Sequence, residues 1–399
     1  MWDRISSRYS GDKSATDFVA YPAFDRAAFP NHCPRPMSQS EFDVACLTVR
    51  LGAIAENYRL LRDRAAGAAT AGVVKADGYG LGAAEATRTL LSQGCDIFFV
   101  ARLEEGIALR PIAPKARIFV LDGPRAASAP AYPAHNLTPV LNSLEQIEIW
   151  RHAARGCDAA VHIDTGLSRL GLPPSELSVF AAEARQGVGF NLVLVMSHLA
   201  CAESPASPLN AEQLSRFRAA LAMLPPAPAS LASSGGILLG RDYVFDLVRP
   251  GIALFGGNPQ VGVPNPFAVA ARLTGRVLQV RRVDKGDSVG YGATFRVERP
   301  TTLVTVALGY ADGLMRALGN KGAGAIAGQK LPIVGRISMD LVTLDATDLP
   351  PAAVVPGADV EFLGDTVRLE EVAAAANPAA YDILTSLGRR VRRVYEAAP

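Results

Sequence analysis

The stretch GVVKADGYGLGAAEATRTLLSQGCDIFFV, from Gly72 to Val100, holds one complete structural unit. Val73 and Val74 close a short apolar run, and a loop with three glycines follows Lys75. Apolar residues from Ala84 to Leu91 then recur at helical spacing before a second apolar run, Ile97-Phe98-Phe99-Val100. This order reads as two buried parallel strands joined by a crossover helix. The pattern continues through Ile118-Phe119-Val120-Leu121, Pro139-Val140-Leu141, Ala160-Val161-His162-Ile163, Leu192-Val193-Leu194-Val195, Ser230-Leu231-Ala232 and Phe245-Asp246-Leu247-Val248. Helical periods run from Leu51 to Leu61, Leu144 to Trp150, Leu177 to Ala184 and Leu214 to Leu224. Eight strand candidates within roughly 210 residues predict a closed (β/α)8 TIM-like barrel with right-handed crossovers.

After about residue 268 the texture changes. Arg272 to Val280 alternates with period two, and Val304 to Leu308, Leu331 to Val334, Leu341 to Leu344 and Val360 to Leu363 follow between turn residues. Helical spacing returns only from Leu369 to Ala375. The expected organisation is an irregular N-terminal extension over 1–40, a barrel over 41–267 and a mainly β domain over 268–399, with Pro264 and Pro266 at the linker. Met37 lies just before the first regular segment, so the extension is either genuine or the product of a mis-assigned start codon.

Composition narrows the function classes. Hydrophobic residues make up 49% and charged residues 20%, ordinary for a soluble globular protein. A net charge of +2 without basic runs argues against nucleic-acid or anionic-membrane partners. Five cysteines without CxxC pairs suit reduced thiols in a cytoplasm, and five histidines without HExxH spacing give no protein-bound metal. No run of about 18 apolar residues is present to span a membrane.

Lys75 carries the strongest chemical signal. A lysine at a strand end is partly desolvated, which lowers its pKa and frees the amine to attack a carbonyl. The glycines of the following loop allow backbone to approach a phosphate. A Schiff-base lysine beside a phosphate cradle is what pyridoxal phosphate requires. Gly78-x-Gly80-x-x-Ala83 also satisfies a dinucleotide fingerprint, but that reading gives Lys75 no role.

Further polar groups fall at predicted strand ends, where barrel sites form. They are Arg169, His198, the Ser233-Ser234-Gly235-Gly236 run, and Arg249-Pro250-Gly251. Serines and glycines at a helix start suit phosphate, and arginines suit a carboxylate or ring nitrogen. In the second domain Tyr291 and Tyr310 lie close to glycines, as in tight turns; a phenol with a lowered pKa could also act as a general base.

Six ordered motifs resemble the alanine racemase family across about residues 45–395. They are Val73 to Gly80, Ile163 to Gly171, Val248 to Leu254, Gly290 to Phe295, Gly309 to Gly313 and Gly335 to Asp340. The resemblance implies a pyridoxal-phosphate enzyme, a homodimer with shared active sites, that interconverts L- and D-alanine for peptidoglycan. It makes Lys75 the cofactor lysine and one base, and Tyr291 of the partner subunit the other. It assigns Tyr79, Ser234, Gly251, Ile252 and Tyr381 to the cofactor phosphate. Arg249 would face the ring nitrogen with His198 behind it, and Arg169, Met339 and Asp340 would form the substrate site. Inversion at carbon needs an acid/base on each face, which agrees with two such groups.

Three positions depart from the family pattern. His162 stands where a carbamylated lysine commonly orients the arginine, Ser233 replaces an asparagine, and Leu314-Met315-Arg316 lacks an aromatic. The alternatives are a broader amino-acid racemase on the same scaffold and a non-catalytic pyridoxal-phosphate carrier, for which Tyr291 would have no use. A barrel decarboxylase lacks a matching cysteine-bearing motif.

Overall fold

The computed structural model describes residues 44–377 and 379–397; the expected extension over 1–40 lies outside them. Strands Gly72–Val73, Ile97–Val100, Arg117–Val120, Thr138–Leu141, Asp158–His162, Asn191–Met196 and Ala229–Ser230 pair in chain order, every neighbour parallel. Leu247–Val248 closes the ring. It pairs in parallel with Ala69–Thr70, the outer half of the first strand, and Val73 N–H reaches Pro250 O at 3.1 Å. On its other side Asp246 N–H bonds Ala229 O and Arg249 N–H bonds Ala232 O. All eight strands expected from the apolar runs are therefore present, including the weak one at Ser230.

Helices surround the ring because their apolar residues fall on one face. Leu51–Arg64 buries Ile54, Ala55, Tyr58 and Leu61. Ser143 caps Leu144–Ala153 by accepting from Gln146 N–H, while Pro174–Ala184 and Pro208–Met223 both start on proline, whose missing N–H is no loss there. Phe99 and Phe119, register partners on adjacent strands, stack with ring centroids 4.6 Å apart.

The second domain is built on Ala271–Val283, which pairs antiparallel with Thr301–Val306, Asp359–Leu363 and Ala45–Arg50. Ala45–Arg50, which falls inside the expected barrel span 41–267, is thus a strand of the second domain's sheet. It alternates half-buried and buried positions, as a strand of a one-face-covered sheet does, and Leu47 and Val49 enter the core. On its far side it pairs in parallel with the final strand, Arg392–Glu396. A two-stranded hairpin, Ser288–Val289 with Phe295–Arg296, carries Tyr291 in its connecting turn.

Candidate active site

Lys75 follows the barrel strand Gly72–Val73 with only Val74 between them. Ala76, Asp77, Gly78, Tyr79 and Gly80 then all have positive φ, between 52° and 83°. For each non-glycine residue this left-handed conformation costs roughly 1–2 kcal/mol, so the turn must be held from outside. Ala76 N–H donates to Glu105 Oε1 at 2.7 Å, and Asp77 Oδ1 accepts from Ala83 N–H at 2.9 Å. From the second domain Arg393 Nη2 donates to Gly80 O at 3.0 Å.

The glycines serve a different purpose from the one expected of them. None of Gly78, Gly80 and Gly82 lines the cavity at the barrel mouth. A Cβ at Gly80 would stand 2.4 Å from Leu384 O, and one at Gly82 would stand 2.2 Å from Tyr395 Oη. They let the turn press against the C-terminal segment, while Lys75 and Tyr79 face the cavity.

That cavity has a volume of about 370 Å³, within the range of small-molecule sites. Lys75, Tyr79, Arg169 and His198 line it, as do Ser234, Arg249, Gly251, Ile252 and Tyr381. Nine residues singled out in the sequence therefore meet at one place. Tyr291, Met339 and Asp340 do not: they lie outside the lining, and Tyr291 is 72% exposed.

The floor of the cavity is cationic and enclosed. Arg249 is buried and forms no ion pair among the described residues. It donates to Ser230 Oγ and to Ser197 O, and its guanidinium carbon lies 5.9 Å from the Phe99 ring centroid. Burial alone pulls its pKa to about 9, so it remains charged at neutral pH. Enclosure, with the Arg249 charge second, holds His198 well below its ordinary value and therefore neutral. Burial, reinforced by Arg169, also lowers Lys75; Glu105 and Asp122 oppose that shift.

At the other end Ser234 Oγ accepts from Gly251 N–H at 2.9 Å and from Ala253 N–H at 3.3 Å. With both acceptor sites engaged, its O–H is left to donate into the cavity. Gly251 cannot be larger, because a Cβ there would stand 2.1 Å from Tyr79 Oη. A buried, carboxylate-free arginine and a serine–tyrosine cradle suit an anionic ring-bearing group, and a partly desolvated amine stands beside them. The residues present fit pyridoxal phosphate.

His162 also lines the cavity. Asn142 Nδ2 donates to Leu121 O and Val140 O, each at 2.9 Å, so its Oδ1 must be the atom 2.9 Å from His162 Nδ1. The imidazole proton is thereby assigned to Nδ1, leaving Nε2 as an acceptor. Burial, then the Arg249 charge, lowers the His162 pKa to about 4.

The Arg169 loop is pinned by Asp164 Oδ1, which accepts from the N–H groups of Gly166, Leu167 and Ser168. Fully buried Gln213 bonds Thr165 Oγ1, His198 O and Ala200 N–H, tying two loops of the site together. Glu105, Asn142 and Gln213 were not found from sequence. Asn142 follows directly on the strand Thr138–Leu141, the position class that flagged the others; Glu105 and Gln213 lie on helices and left no such signal.

Tyr291, Tyr310, Met339 and Asp340 belong to adjoining loops of the second domain. Tyr310 N–H bonds Ser338 O and Ala311 N–H bonds Met339 O. Arg390 links Asp312 to Asp340, with 2.7 Å to the latter. A Cβ at Gly335 would stand 2.7 Å from Val289 O, beside the turn bearing Tyr291.

The fold and donor set together define a barrel enzyme of the pyridoxal-phosphate-dependent kind. The family model of the alanine racemase N-terminal domain matches residues 49–259, and that of the C-terminal domain matches residues 270–395. The chain belongs to the alanine racemase family, a family of isomerases. It is 47% identical over 365 residues to the alanine racemase of Rhodospirillum rubrum, covering 90% of this chain and 98% of that one. It is 48% identical over 354 residues to the catabolic alanine racemase of Agrobacterium fabrum, covering 88% and 91%. Among solved structures, alanine racemase from Bartonella henselae, with covalently bound pyridoxal phosphate, matches with a TM-score of 0.85. Its sequence is 40% identical, and the match covers 88% of this chain and 99% of that one. The biosynthetic alanine racemase of Pseudomonas aeruginosa matches with a TM-score of 0.84 at 34% identity, covering 89% and 99%.

Proposed function

We propose that the chain interconverts L- and D-alanine with pyridoxal phosphate attached through Lys75, using Lys75 and Tyr291 as the two acid/base groups. The observation that carries this reading is the convergence of Lys75, the Ser234–Gly251–Tyr79 cradle and unpaired Arg249 on one cavity. When bound, the cofactor disperses the charge left on the substrate carbon after proton loss. Lys75 Nζ moves the proton on one face, helped by burial and Arg169, which favour its neutral form. Ser234, Tyr79, Gly251, Ile252 and Tyr381 would hold the phosphate. Arg249 would stand at the pyridine ring as a cation, and His198 would back it as a neutral group. Arg169 would meet the substrate carboxylate, and Met339 and Asp340, which lie outside the Lys75 cavity of their own chain, would complete the substrate site from the second copy.

Tyr291 Oη serves the opposite face from a second copy of the chain. Its exposure and its place outside the Lys75 cavity support a head-to-tail homodimer in which each site takes a base from each subunit. The product supplies peptidoglycan assembly in the cytoplasm. A catabolic role is the second reading, favoured by the name of the Agrobacterium fabrum relative. Borohydride reduction and peptide mapping are expected to place a pyridoxyl group on Lys75, and label on another lysine would overturn the pocket assignment. A deletion strain that needs added D-alanine supports the biosynthetic role; one that fails only on alanine as carbon source supports the catabolic one.

A further inference from the structure

We propose that Glu105 is a positioning residue for Lys75: its carboxylate fastens the peptide that follows the lysine and fixes where the amine points. This rests on the reading that Lys75 carries the cofactor. Glu105 belongs to the helix Leu103–Leu109, at the mouth of the neighbouring strand. Its Oε2 accepts from Ala101 N–H at 2.7 Å and from Arg102 N–H at 3.1 Å, which caps its own helix. Helix capping needs nothing more. Yet Oε1 reaches back 29 positions to Ala76 N–H at 2.7 Å. Ala76 is the first of the five positive-φ residues, so this bond sits where the chain turns from the strand into the left-handed turn.

The carboxylate forms no ion pair among the described residues; its partners are three amides. It thus clamps two adjacent strand ends together and sets a fixed negative charge near Lys75. The other charged or titratable groups acting on Lys75 are Arg169 and Asp122, with His198 across the cavity. A glutamine at 105 can accept with only one atom and turns its amide N–H toward the other strand end. An aspartate keeps the charge but is one methylene too short to serve both.

The test compares Glu105→Gln and Glu105→Asp with the wild type, all as full-length protein. In the loaded enzyme both variants are expected to lose about tenfold to a hundredfold in kcat with the alanine KM little changed, as misplacement of a reacting group does. In the chain stripped of cofactor, the pH at which Lys75 becomes acylated, read by peptide mapping, is expected to fall in Glu105→Gln. It is expected to stay near the wild-type value in Glu105→Asp. Unaltered kcat, or an unmoved Lys75 profile in Glu105→Gln, overturns the proposal and leaves Glu105 a helix cap, whatever the melting temperature does. If Glu105→Gln fails to fold, Glu105→Asp decides by its kcat alone. Borohydride label on a lysine other than Lys75 in the wild type would refute the cofactor assignment; label on Lys75 with indifferent variants refutes only the role of Glu105.

Discussion

Mixing two inactive variants tests how the site is assembled. In the proposed mechanism Lys75→Ala removes one acid/base group and Tyr291→Phe removes the other, so each variant alone is expected to be nearly inert. Within one chain Tyr291 is 72% exposed and absent from the cavity that Lys75 lines. A site completed by a second copy therefore draws Lys75 from one subunit and Tyr291 from the other. After dissociation, mixing in equal amounts and reassociation, about half the dimers are mixed by random pairing. Each of these has one intact site and one doubly broken site, so roughly a quarter of wild-type site activity is expected to return under this two-fold geometry. The assay is D-alanine formation from L-alanine by chiral chromatography, with mass spectrometry of differently tagged chains to show that subunits exchanged. Exchange without recovered racemisation would refute the shared site, because two bases from one chain leave every mixed-dimer site lacking one.

Other consequences concern single groups. Burial holds His162 at about 4, below its ordinary 6.5, so the unfolded chain takes up the proton first as pH falls. Its contribution to stability is present above pH 6.5 and is lost as pH falls toward 4, by up to ~3 kcal/mol. Thermal unfolding at pH 5 and pH 7.5 should therefore show a smaller acid loss in His162→Gln than in the wild type; equal losses would contradict this. The imidazole offers no amine for a carbamate, so removing bicarbonate is expected to leave kcat/KM unchanged, and a requirement for it would refute that role for position 162. Gly251→Ala sets a Cβ 2.1 Å from Tyr79 Oη. An overpacking cost of about 1–3 kcal/mol expressed at the cradle predicts roughly 5- to 150-fold weaker pyridoxal-phosphate binding in titrations of the stripped protein. Adding Tyr79→Phe should relieve part of it, and full additivity would show that the phenol is not the obstacle.

The barrel was legible because parallel strands buried on both faces read as apolar runs, and even Ser230 fell in sequence with its neighbours. Ala45–Arg50 was not, because a strand's partner is a tertiary fact. Its alternation is visible, but nothing local says that Leu47 lies beside Leu273 of the second domain. At the site, polar groups at strand ends could be read as converging, and Lys75, Arg249 and Ser234 do converge. The glycines after Lys75 advertised unusual backbone conformations but not what approaches them, which is Leu384 and Tyr395 in place of a phosphate. Glu105 stayed hidden because a carboxylate that binds only amides leaves no charge partner to notice.

The brace on the Lys75 turn has a consequence for how the protein is made. Arg393, which holds Gly80 O, lies 313 positions further along the chain, and Tyr395 closes over Gly82 two residues later. A ribosome finishes every barrel strand long before it releases either residue. The nascent barrel can thus collapse on its aromatic interior while Lys75 still sits on a turn without that brace. Arg392–Glu396 then docks beside Ala45–Arg50, a strand made before the barrel and left until then without its parallel neighbour. The turn that carries Lys75 thus gains its brace only after Arg393 and Tyr395 have been made, and a chain lacking them would fold its barrel around a lysine left unaimed.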